Sequence, residues 1–481
     1  MTGLLQNKFF LILLTGVLLR IIFWIPYYLP VDTFSYLNGI LVFDNPYMGE
    51  IIHVVRIGMV FPLFIIEYVF GKSLILSSAY ILFLSIGTIW LTIKLANRWG
   101  GEDAAYLAGL IVAFVPMEVV YGSVILPDTP LSFFSLAAFA LIVCSDSKNH
   151  KSNFCLAGIL LGLAYTCKVT ALFFMPCALL QAIFSKQGKS AVCYLTVGFT
   201  LIFTVEHLTL FFLMGDWHIR IAETLGFVSG AKGNYMQVDK TFSWWLGQIW
   251  FKVGALFWGK HLPTLALLGI TPHIVFIAIW RMRLSKWTEN SRWLALWGGT
   301  WVLQQLLISA IEQEPRYFQA AIPYFAIIVG LSFAELWNQL DRLWKTVLTL
   351  TVCIQFTICS WFFWATYSPM GAAVSALSVE FDKLAEKEGV LIDGLSEYEI
   401  RLASYRGLNT VANKKESNPT HWAAIHNGYT AKYSSNMISQ DNMEIRLNAT
   451  YNSPLSDLFR NIDYNPGVGS IAEAQLYEYV D

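Results

Sequence analysis

Residues 104–145 read AAYLAGLIVAFVPMEVVYGSVILPDTPLSFFSLAAFALIVCS. Two apolar runs, 104–123 and 130–145, meet at a turn framed by Pro127 and Pro130, with a single carboxylate, Asp128, between them. Apolar runs of about 17 to 25 residues can cross a bilayer as helices, because each residue of a helix advances about 1.5 Å and the hydrocarbon core is about 30 Å thick. Working outward, nine more runs follow the same pattern: 9–29, 74–96, 154–167, 169–185, 191–214, 262–280, 293–311, 318–336 and 345–365. Runs 154–167 and 169–185 are short and join at Lys168, so they read either as a pair of spans or as a re-entrant hairpin. The expected fold is an α-helical polytopic membrane protein with about eleven transmembrane helices.

Composition agrees. Of the 481 residues, 56% are hydrophobic and 14% charged. Exchanging the 22 Tyr for the 33 Gly in that set gives about 58%, against about 45 to 50% in soluble domains. A net charge of -1 removes the global electrostatic argument for a nucleic-acid binder. The seven Cys lie in or beside apolar runs without metal-ligand spacing, and read as small core residues rather than a disulfide framework. The first run is longer than a signal-peptide core and lacks a small-residue cleavage site, so it reads as a retained span.

With the N-terminus in the cytoplasm, alternation places thirteen basic residues of short loops inside, among them Lys94, Arg98, Lys186, Arg281 and Arg342, and nine outside. Three substantial segments then share the outer side: 30–73, 215–261 and the tail. Segments 30–73 and 241–258 (TFSWWLGQIWFKVGALFW) mix charge with aromatic and aliphatic residues, as interfacial helices do. After Tyr367 the composition changes abruptly, with nine Lys/Arg and fifteen Asp/Glu in 114 residues. Residues 366–481 therefore read as an extracytoplasmic (periplasmic) soluble domain of small α/β or α+β type, with FDKLAEKEG as a helix and VLIDG and AQLYEYV as strands.

Charged groups at span ends are costly and single out the chemistry. Asp32, in PVDTFSYLNG, reads either as a helix N-cap or as a general base that takes a proton from an acceptor hydroxyl. Asp128 lies between prolines that give its carboxylate a fixed direction, although Asp-Thr-Pro is also an ordinary helix start. His53 and Arg56, three apart, share one face of a helix and could bind phosphate or simply be solvated. Lys168 either snorkels to headgroups or binds an anion. Arg316, with Tyr317 beside it, can fork onto a phosphate or pair with Glu314 or Glu312. Arg20 lies within the first run and must face protein or water; Glu118 and the Glu206-His207 pair are its candidate structural partners.

These residues lie in six short motifs: Arg20, Asp32, HVVRIGMVFPLFIIEYVFG (53–71), LPDTPLSFF (126–134), GLAYTCKVTALFFMP (162–176) and EPRYFQAAIPYFAIIVG (314–330). In this order the chain resembles the GT-C superfamily of polyprenyl-phosphate-sugar-dependent glycosyltransferases, especially the branch of bacterial aminoarabinose transferases and protein O-mannosyltransferases. The resemblance covers most of residues 1–365 as a GT-C-like catalytic domain. It implies an active site at the outer membrane face, with Asp32 as catalytic base or acceptor-orienting group and Asp128 as a second acid. It further implies His53, Arg56, Lys168, Arg316 and Tyr317 as ligands of the lipid phosphate. A divalent metal ion held by Asp32 and Asp128 is left open. A single Asp32 stands where the protein mannosyltransferases carry an Asp-Glu pair, so a protein acceptor is less secure than an envelope glycan or lipid.

The expected activity is an inverting transfer of a sugar from a polyprenyl-phosphate-linked donor, in a bacterial inner (plasma) membrane. The alternatives are a polymerase or ligase using a lipid-linked glycan, and a lipid flippase or transporter. The latter would show repeats and paired midplane charges, which the sequence lacks apart from Arg20.

Overall fold

The computed structural model describes residues 2–25, 56–145, 149–220, 271–281, 288–307, 315–381, five strands beyond residue 388, and isolated positions in 33–43 and 247–270. The chain divides into two compact units, residues 1–23 with 55–360, and residues 24–54 with 361–481.

The first unit is helical. Its elements are α1 (Thr2–Ile22), α2 (Ile57–Phe70), α3 (Leu74–Phe114), α4 (Pro116–Tyr121), α5 (Asp128–Val143), α6 (His150–Cys167), α7 (Phe174–Phe184), α8 (Lys189–Met214), α9 (Thr271–Arg281), α10 (Glu289–Leu307) and α11 (Ile322–Gln339). A twelfth helix, α12 (Arg342–Phe381), runs past the end of this unit, so the expected boundary after residue 365 falls inside a helix. Short 3₁₀ segments at Val169–Phe173 and Pro315–Ala321 lead into α7 and α11.

Among the described residues four helices are long and apolar enough to cross a membrane, Leu74–Phe114, Lys189–Met214, Arg316–Gln339 and Arg342–Leu377, against the eleven runs counted in the sequence. Runs 262–280 and 293–311 extend outside the described residues, and the rest of the difference has local causes. Runs 74–96 and 104–123 belong to one 41-residue element that bends at Gly101, whose φ of 73° suits a residue without Cβ. Run 104–123 is then broken at Val115, which adopts an extended ψ of 126° because Pro116 disfavours a helical residue before it. Runs 130–145 and 169–185 give shorter apolar helices. Segment 57–70, read as interfacial, is helical; 241–258 lies almost wholly outside the described residues.

Small residues allow the helices to pack closely. Gly158 of α6 and Gly198 of α8 face each other so tightly that a Cβ on either would run into the other helix's backbone, at Leu195 and Cys155 respectively. A ring cluster from four helices, α5, α7, α10 and α11, fills the centre. Phe139, Phe174, Trp297, Trp301 and Tyr324 are all buried, and Phe174 stacks on Trp301 with centroids 5.1 Å apart. Such ring pairs add about 0.5 to 1.5 kcal/mol each beyond area burial. All seven cysteines are free.

In the second unit, described beyond Phe381 only as strands, β1 (Gly389–Ile392), β2 (Asn409–Val411), β3 (His421–Asn427), β4 (Met443–Asn452) and β5 (Ile471–Tyr479) form one sheet ordered β2-β1-β3-β5-β4. β1 pairs in parallel with β2 and β3, and β5 pairs antiparallel with β3 and β4. Strands thus occupy VLI and AQLYEY; the helix expected at FDKLAEKEG is described only at Phe381, within α12.

Candidate active site

Three turns of the helical unit meet. The first precedes α5: Leu131 donates its backbone N–H to the carbonyl of Pro127, and Pro130 sits within the first turn, where a missing N–H costs nothing. Asp128 begins this helix and is buried, 3% exposed. The second turn ends α6 at Lys168, whose extended backbone (φ -154°, ψ 122°) leaves the helix while its N–H still donates to Ala164. The third is the 3₁₀ segment Pro315–Ala321 carrying Arg316 and Tyr317.

Across these turns the Lys168 ammonium donates to Asp128 Oδ1 at 2.7 Å and lies 4.2 Å from the centroid of the Tyr317 ring. The Arg316 guanidinium lies 5.3 Å from the same ring, so Tyr317 is flanked by two cations. A desolvated cation–ring contact is worth about 2 kcal/mol. Burial lowers the pKa of Lys168 from the usual 10.5; the Asp128 carboxylate opposes this, and the positive charges of Arg56 and Arg316 reinforce it. Arg56 reaches the cluster because α2 starts against the end of α6. A Cβ at Gly58 would collide with the Thr166 side chain and the Cys167 backbone. The Lys168 side chain retains 14% exposure.

Of the residues singled out in the sequence, Asp128, Arg56, Lys168, Arg316 and Tyr317 therefore come together. Asp32 and His53 lie outside the described residues, as do Glu312 and Glu314. A cation at Asp128 would have to share the carboxylate with an ammonium at 2.7 Å, and among the described residues no group of three His, Cys, Asp or Glu side chains could hold a metal ion. Asp32, the other carboxylate considered for a metal, lies outside the described residues.

Neighbouring polar groups hold the turns in place. Gln319, fully buried, donates to Thr129 Oγ1 at 3.0 Å and to Glu118 Oε2 at 3.3 Å, clamping the third turn to the first. Trp301 donates its indole N–H to the Tyr317 carbonyl at 2.7 Å. The sequence reading missed both. A helical-turn pattern could have flagged Gln319, three residues after Arg316, but Trp301 carries no signal beyond being aromatic.

Arg20 does pair with Glu118, at 4.0 Å, and its guanidinium also donates to Ser85 Oγ and to the carbonyls of Gly16, Val112 and Ala113. The Val112 carbonyl needs this donor because Pro116, four residues on, has no N–H to offer. Glu206 pairs with Arg220 instead, at 3.9 Å.

Residues 62–209 match the family model of dolichyl-phosphate-mannose-protein mannosyltransferase. No curated protein matches the chain in sequence. Among solved structures the chain resembles ArnT from Cupriavidus metallidurans bound to undecaprenyl phosphate, with a TM-score of 0.55 at 11% identity over 98% of each chain. The apo form of that protein gives a TM-score of 0.50 at 12% identity, over 86% of this chain and 91% of that one. The Archaeoglobus fulgidus oligosaccharyltransferase gives 0.54 at 11% identity, over 89% of this chain and 70% of that one. The chain is an integral membrane protein with the fold of the GT-C glycosyltransferases, and its residues 62–209 match the protein-mannosyltransferase family model.

Proposed function

We propose that the protein transfers a sugar from a polyprenyl-phosphate-linked donor to a hydroxyl of an envelope glycan or lipid, on the extracytoplasmic face of a bacterial inner membrane. The observation that carries this reading is the meeting of Lys168, Arg316 and Arg56 around Asp128 and Tyr317 at the ends of apolar helices. Three cations converge beside Asp128 where burial makes charge costly, and a phosphate monoanion or dianion is the kind of ligand such a cluster attracts. Nucleotide sugars are confined to the cytoplasm, so a donor used outside it is an activated sugar on a membrane lipid. The ArnT that binds undecaprenyl phosphate supports this by fold analogy.

In the proposed reaction the acceptor oxygen attacks the anomeric carbon and the bond from that carbon to the phosphate oxygen breaks. The electron pair stays on the phosphate, where Lys168, Arg316 and Arg56 stabilise it. The acceptor proton passes to a carboxylate, which we assign to Asp32 on the sequence resemblance. Direct attack from the face opposite the phosphate inverts the anomeric centre. Asp128, bonded to Lys168, acts in this scheme by aiming the ammonium rather than as a free base.

The test is sugar transfer by the reconstituted full chain from a polyprenyl-phosphate sugar. Lys168→Met should lower turnover by about 100-fold to 1000-fold, as loss of a donor to developing negative charge does elsewhere. Asp32→Asn should abolish transfer while leaving donor binding intact. Transfer at the wild-type rate by Lys168→Met would overturn the phosphate site.

A further inference from the structure

The last carbonyls of a helix lack intrahelical donors, and the helix dipole makes that end negative. At the end of α6 one buried side chain takes both roles. Arg220, 2% exposed, donates Nη2 to the carbonyls of Tyr165 at 2.8 Å and Thr166 at 3.4 Å, and its Cζ lies 5.4 Å from the Tyr165 ring. Glu206 of α8, 1% exposed, sits 3.9 Å from Arg220 Nε. Lys168 follows two residues after the second of these carbonyls, at the point where the chain turns extended.

We infer that Arg220, steadied by Glu206, is a positioning residue that fixes the end of α6 and thereby the direction of the Lys168 ammonium. The influence runs through backbone geometry. Arg220 spends its fork on carbonyls, whereas the charges that bear on Lys168 are those of Asp128, Arg56 and Arg316. A lysine at 220 would keep the charge at the helix end but could not reproduce a planar fork held against carbonyls, ring and carboxylate together. The sequence gives this residue no prominence: Arg220 follows Asp216-Trp217-His218-Ile219 and reads as a loop cation.

The inference rests on the phosphate-binding reading of Lys168, and the experiment separates the two. Affinity for a sugar-free polyprenyl phosphate is measured in lipid nanodiscs for the full chain and for Lys168→Met, Arg220→Lys, Glu206→Gln and the Arg220→Lys/Lys168→Met double variant. Arg220→Lys should weaken binding by about tenfold, and the double variant should bind no more weakly than Lys168→Met alone, because a residue that acts through Lys168 loses its effect once that ammonium is gone. Glu206→Gln should weaken binding in the same direction by a smaller factor. A thermal midpoint near wild type for Arg220→Lys keeps the comparison clear of unfolding. Wild-type affinity in Arg220→Lys, or a full additional tenfold loss in the double variant, overturns the positioning role while leaving the phosphate site standing. Wild-type affinity in Lys168→Met overturns the phosphate site and this inference with it.

Discussion

Two buried ion pairs in the helical unit invite comparison. Arg20 and Glu118 are 4.0 Å apart, and the guanidinium spreads its donors over a serine and three carbonyls, so it is satisfied without any outside partner. Lys168 and Asp128 are 2.7 Å apart, but two more cations bear on the ammonium and part of its side chain is still exposed. The first pair is closed by protein acceptors, while the second is part exposed and has two like charges bearing on its ammonium. Buried charge alone thus marks either structure or function; exposure and the like charges nearby separate them.

The sharpest way to break this comparison is to neutralise each pair completely. Asp128→Asn/Lys168→Met should fold normally yet lose transfer by about 100-fold or more, whereas Arg20→Met/Glu118→Gln should keep turnover within a few-fold once folded. Equal losses from both double variants, measured as turnover per folded protein, would erase the distinction. Next in size, Arg20→Met alone should destabilise by about 3 to 5 kcal/mol because it leaves Glu118 buried without its cation, read as a lowered thermal midpoint in detergent.

Gln319→Leu removes the clamp between the first and third turns and should cost about 1 to 3 kcal/mol, with a larger effect on donor KM than on kcat. An unchanged KM would detach Gln319 from the site. The smallest effect concerns pH. Phosphate binding needs the ammonium form, and burial lowers the Lys168 pKa, so donor affinity should fall as pH rises and begin to do so below the ordinary lysine value of 10.5. Arg316→Gln should move that decline to higher pH by removing a like charge.

Much of the site could be read from the sequence, because a charged residue between two apolar runs stands out. Asp128 between its prolines, Lys168 between two hydrophobic stretches and Arg316 after a proline each advertise a turn at a span end. What stayed hidden were residues whose role exists only in three dimensions. Gln319 is neutral and Trp301 looks like one more core aromatic, while Arg220 lies more than 50 residues from the carbonyls it holds. The fold was read with a similar bias. Apolarity located the helices, but treating 104–123 as one run passed over Pro116, which ends α3 at Phe114 and frees the carbonyl that Arg20 occupies.

The contact between Asp128 and Lys168 also bears on turnover. On the proposed reading, once the sugar has gone the site is left with a lipid monophosphate that carries more charge than the donor did, and tight retention would stall the enzyme. Asp128 is tethered to the chain and holds one of the three ammonium donors, so when the spent carrier leaves Lys168 keeps a counter-ion in place. On that reading the resting state is an internal ion pair rather than a bare, waiting cation.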